Sequence, residues 1–86
     1  MKVLELKNLS REESGLYYIR KFSAFAVLEI PLETIETPIN FIIETGPTGK
    51  SQIDIEFTKP LSYPLLPVIK CVKEHIINMD REGKLP

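Results

Sequence analysis

Large apolar residues recur at intervals of four, three, four and three along Leu65, Ile69, Val72, Ile76 and Met79. At helical spacing these five and Val68 share a stripe about 100° wide, the pattern of a helix with one buried face. Lys70, Lys73, Glu74, Asn78 and Arg81 lie off it. Pro64 and Pro67 fit only the first turn, where the N–H that proline lacks has no partner anyway. Ser62 stands where a cap would. Gly83 can take the left-handed conformation that ends a helix, and Arg81 suits the negative end of the dipole. The pattern predicts a helix from Tyr63 or Pro64 to about Glu82. A lone amphipathic helix needs a surface to cover, and the rest of the chain has to provide it.

That remainder reads as strands. Lys2 to Lys7 places Leu4 and Leu6 on one face of a short strand. Ser10 followed by Glu13 forms a capping-box pattern that could open a short N-terminal helix. Leu16 to Phe22, rich in aromatic and branched residues, favours a strand instead. Ala24 to Ile30 is a further strand, and Pro31 to Pro38 reads as a connection between two prolines. In Gln52 to Thr58, Ile53, Ile55 and Phe57 alternate with Asp54 and Glu56, giving one apolar and one wet face. Ile39 to Thr45 precedes it, and Gly46 to Lys50 has the length of a hairpin loop. Strands followed by one long helix predict an α+β fold. An antiparallel sheet of four or five strands would be covered on one face by the C-terminal helix.

A chain of 86 residues makes one domain, residues 1–86, with room for one modest core. Its formal net charge is −1, and no basic block is present to neutralise phosphates, so nucleic-acid binding is not expected. A single cysteine, Cys71, excludes an internal disulfide and suits a reducing compartment. Glu5 interrupts the first apolar run, which argues against a signal peptide. The uncharged run from Pro60 to Ile69 is too short to span a bilayer. A cytoplasmic location is the resulting expectation, with no membrane contact.

The motifs that could carry chemistry fall short of it. Gly46 to Ser51 reads GPTGKS and ends like a phosphate-binding P-loop. The first glycine of that motif would fall at position 44, which is Glu44, and Ser51 opens an alternating strand where a helix is needed. A weak anion contact through Gly49, Lys50 and Ser51 is the residual reading. Cys71 and His75 are helical neighbours, but a metal needs three or four ligands and the chain has no other cysteine or histidine. Both read as packing residues at the edge of the stripe. Asp54 and Glu56 read as a solvated strand face, and Tyr17 and Tyr18 as one core and one surface residue. No catalytic constellation and no cofactor-binding pattern emerges, so no enzyme is expected.

With a helix at Ser10, the order helix, three strands, helix would resemble the double-stranded-RNA-binding domain in topology. The basic pair that opens that family's final helix is replaced here by Leu65, Leu66 and Pro67. The similarity carries no residues over.

Apolar faces exceed what one helix can cover. Phe25 and Val27 lie opposite Ala24, Ala26, Leu28 and Ile30 on their strand, and Ile42 lies opposite Ile39, Phe41 and Ile43 on the next. Leu66 and Ile77 fall outside the helical stripe. The excess predicts a non-catalytic assembly or protein-binding module that self-associates, most simply as a two-fold homodimer, with Ile42, Leu66 and Ile77 in its contacts. The alternatives are a small-ligand or anion-binding domain using the Gly46 to Ser51 loop, and a nucleic-acid-binding domain.

Overall fold

A computed structural model describes residues 2–86. Four strands, β1 (Lys2–Glu12), β2 (Ile19–Ile30), β3 (Glu33–Thr45) and β4 (Ser51–Phe57), precede one helix, α1 (Leu65–Arg81). The strands pair with their sequence neighbours in the order β1-β2-β3-β4, all antiparallel. The α+β fold with a C-terminal helix is therefore as the periodicities predict, with four strands rather than five.

No helix forms at Ser10. Ser10 pairs with Ser23 inside β1, so the capping-box pattern is overridden by sheet pairing, and the topology similar to the RNA-binding domain disappears with it. Leu16 to Tyr18 lie in the turn before β2. The Ser14 hydroxyl holds that turn: it accepts from the Leu16 N–H at 3.2 Å and lies 2.6 Å from the Ile19 carbonyl. Neither tyrosine enters the core. Tyr17 is 97% exposed, and Tyr18 meets it edge-on at 5.7 Å.

β1 departs from simple alternation. Its pairing with β2 slips between Val3 and Glu5 and again between Lys7 and Ser10, where Asn8 has φ 53°. Each slip reverses the phase of the strand. Val3, Leu6 and Leu9 therefore pack against the core at intervals of three, while Leu4, expected beside Leu6, is 42% exposed.

The segment Pro31 to Pro38 is a tight turn plus half a strand. Pro31 and Leu32 alone connect β2 to β3, with Leu32 at φ 73°. Pro38 sits within β3 at the level where β4 ends. Its carbonyl accepts from the Thr58 N–H at 3.4 Å, and the N and O of an extended residue point to the same side. The missing N–H thus falls just past the end of β4, where it breaks no ladder bond.

The core lies between one face of the sheet and α1. Phe22, Ala24, Ala26 and Leu28 of β2, Ile39, Phe41 and Ile43 of β3, and Ile53 of β4 are buried against Val68, Val72 and Ile76 of the helix. Alanines on the central strand and valines on the helix keep the two layers close. Phe22 and Phe41 stack with ring centres 4.9 Å apart. Pro64 occupies the helix N-cap without a side-chain bond, so Ser62 does not cap it. At the other end the Gly83 N–H bonds the Asp80 carbonyl and the Lys84 N–H the Met79 carbonyl, with Gly83 at φ 68°. This is the glycine-dependent helix stop that the sequence signals.

Candidate functional site: the uncovered face of the sheet

Opposite residues of an antiparallel pair share a face, so the pairing register assigns every side chain on the far side of the sheet. Its first rows carry Lys2 and Glu29, then Glu5, Val27 and Glu36, then Lys7, Phe25 and Pro38. Next come Ser10, Ser23, Asn40 and Glu56, followed by Glu12, Lys21, Ile42 and Asp54. Glu44 and Gln52 close the face. No element of this chain, among the described residues, covers it: α1 lies on the other side.

Two apolar islets stand on this face. Phe25 (39% exposed), Val27 and Pro38 form one, and half-buried Ile42 forms the other. A polar row of Ser23 and Asn40 separates them. Around them stand seven carboxylates, Glu5 and Glu12 from β1, Glu29 from β2, Glu36 and Glu44 from β3, Asp54 and Glu56 from β4, against three lysines, Lys2, Lys7 and Lys21. Lys7 Nζ meets Glu36 Oε1 at 3.1 Å across β2. Both are about half exposed, so water weakens the pair. The face has a formal charge of −4, while the chain as a whole has −1. The rest of the molecule is therefore positive by three.

The expected contact residues divide between the two sides of the molecule. Ile42 is on the open face, and its neighbours Phe41 and Ile43 are in the core, as the bulkier row of β3 requires. Leu66 (82% exposed) and Ile77 (39% exposed) lie on α1. They belong to a second helical stripe that periodicity alone does not single out. Leu66, Lys70, Lys73, Ile77 and Arg81 are spaced four, three, four and four apart and share an arc of about 80°. The spacing is visible in the sequence. Its meaning is not, because the charge it complements lies on residues scattered over four strands.

The Gly46 to Ser51 loop is a hairpin turn. The Gly49 N–H bonds the Gly46 carbonyl at 3.0 Å and the Gly46 N–H bonds the Lys50 carbonyl at 2.8 Å. Both glycine amides are thus used within the turn, and Lys50 and Ser51 are left as outward donors beside Glu44, whose charge opposes an anion. Ser51 opens β4, so the P-loop geometry is excluded. A concavity of about 630 Å³ between Tyr17, Tyr18 and Glu44 to Pro47 carries one carboxylate and no cation. Cys71 and His75 are half-buried on α1. Burial lowers the His75 pKa from its ordinary value; nearby Glu82 opposes the shift and Lys84 adds to it. Among the described residues no three His, Cys, Asp or Glu side chains converge as a metal site would need. No described helix is long and apolar enough to cross a membrane.

The fold and its face define a small two-layer α+β protein with one side of its sheet left open. The chain belongs to the BB_0187 family, whose model matches residues 1–81. Neither a curated protein nor a solved structure matches it.

Proposed function

We propose that this chain is a non-catalytic protein-binding and assembly module whose docking surface is the open face of its sheet. The observation that carries this reading is the placement of Phe25, Val27, Pro38 and Ile42 on a face that no part of the described chain covers. An antiparallel sheet with one solvated side alternates apolar with polar residues. Here the solvated side of the two central strands retains large apolar groups, which suits a contact surface. Self-association is the form of binding we favour, with a homodimer as the smallest assembly. A single cysteine, which can form no internal disulfide, supports a cytoplasmic setting.

The test separates two adjacent residues. Ile42→Lys places a charge on the open face, so the variant keeps the wild-type circular dichroism and loses its association. Phe41→Lys places a charge in the core beside Phe22, so it does not fold. Sedimentation equilibrium at about 100 µM reads the association, in the range where a modest interface holds. Association that survives Ile42→Lys overturns the reading, as does an Ile42→Lys variant that fails to fold.

A further inference from the structure

The open face and the second helical stripe complement each other, although no molecule can bring its own two sides together. Building on the docking reading above, we infer that the occupant of the open face is the α1 stripe of a second copy, bound head to tail. Charge argues first. Two open faces meeting across a two-fold axis would oppose −4 with −4, and like charges in an interface disfavour it. The stripe offers the opposite sign: Lys70, Lys73 and Arg81 flank Leu66 and Ile77. No carboxylate falls within its arc. Glu74 and Asp80 stand about 20° outside its two edges. Asp80 is already paired with Arg20 at 3.0 Å, so the three cations outweigh the one carboxylate left beside them.

Spacing argues second. Leu66 and Ile77 are eleven residues apart on the helix, about 16 Å along its axis. On the sheet, Pro38 and Ile42 are four residues apart, about 13 Å, and Val27 lies about 20 Å from the Ile42 row. Two apolar anchors on the helix therefore match two apolar islets on the sheet, with cations beside the anchors and carboxylates beside the islets. Because the two surfaces lie on opposite sides of the molecule, each end of a bound pair still presents one free surface. The contact is heterologous, and assembly continues past the dimer unless a ring closes.

Sedimentation velocity on the full chain tests this with two single-surface variants. Ile42→Lys disables the sheet face. Leu66→Glu with Lys70→Glu disables the stripe at two exposed positions in the first turns of the helix, where acidic residues suit the dipole. For wild type, the mass is expected to rise with concentration beyond twice the chain mass of 9.8 kDa at about 50 mM salt, and to fall at about 500 mM, where the Debye length is short. Each variant alone stays monomeric. Mixed, they have one intact surface each and form a one-to-one complex that grows no further. A closed wild-type dimer that Ile42→Lys breaks and the helix double variant does not would overturn the head-to-tail contact and leave the sheet-face reading standing. Wild-type protein that stays monomeric at both salts would overturn a second copy as occupant. Assembly that ignores Ile42→Lys would overturn both.

Discussion

His75 shows how a single side chain ties this fold to pH. Burial favours its neutral imidazole, so its pKa in the folded state lies below the ordinary 6.5, and the Glu82 carboxylate only partly offsets the effect. The unfolded chain therefore takes up the proton first as pH falls. By linkage the stability this residue contributes is whole above about pH 6.5 and is lost as pH drops through the folded-state value. Wild type should lose thermal stability over that window, and His75→Gln should lose less of it. Melting temperatures of both proteins taken stepwise from about pH 7.5 to 5 give the comparison, and parallel curves would contradict it. The sequence placed His75 at the edge of the stripe, where it is found. Its neighbours Glu82 and Lys84 come from the chain beyond the helix end, which folds back through the glycine stop at Gly83.

At the scale of elements, the helix is fixed to the sheet by apolar burial and by one directional contact. Arg20 of β2 donates Nη1 to Asp80 Oδ1 at 3.0 Å and Nη2 to Asp80 Oδ2 at 3.2 Å. Such a fork fixes direction as well as distance. It ties the C-terminal turn of α1 to the start of the central strand β2, sixty residues away. Both side chains are partly exposed, so solvent discounts the pair. Arg20→Ala and Asp80→Ala should each destabilise by about 0.5–1 kcal/mol. The double variant should fall short of their sum, since either change removes the same contact. Urea midpoints for the four proteins decide the matter; strict additivity would mean the fork contributes nothing. Val68, Val72 and Ile76, the three fully buried helix residues, were all legible in the spacing. The Arg20–Asp80 fork was not, because nothing in either residue's neighbourhood points to the other.

The whole molecule is elongated, 42 × 22 × 22 Å, because its central strands are long and their flanks short. β3 has 13 residues and β4 only 7, and β4 pairs with Ile39 to Thr45 alone. Along β3, the backbone groups of even-numbered residues point toward β4, as the bond from Thr58 to the Pro38 carbonyl shows. The amides of Asn40 and Ile42 therefore meet β4, whereas those of Thr34 and Glu36 point past its end. Thr34 and Glu36 should exchange hydrogen for deuterium far faster than Asn40 and Ile42 in the monomer. Equal protection at the four sites would show that something lies along this edge. The edge is guarded by Pro38 at its inner limit and by Glu33 and Glu36 along it, devices that discourage strand addition. Lateral sheet growth is thus discouraged, which leaves the two broad sides, acidic sheet and basic helix, as the surfaces suited to contact.

By itself the sequence determined what local periodicity can encode. The stripe at Leu65 to Met79 required a helix with one buried face, the alternation in Gln52 to Thr58 required an edge strand with one wet face, and Gly83 required the helix to stop. Each rests on residues a few positions apart. Only the tertiary structure decided the rest. Ser10 became strand because its partner Ser23 offered a ladder, and Pro31 to Pro38 became a turn and half a strand because β4 ends where Pro38 needs no partner. Val3, Leu6 and Leu9 reached the core because two bulges reversed the phase of β1. The concentration of charge on one side of the sheet depends on the register of three strand pairs. Pairing between residues distant in the chain sets that register, and no single segment encodes it.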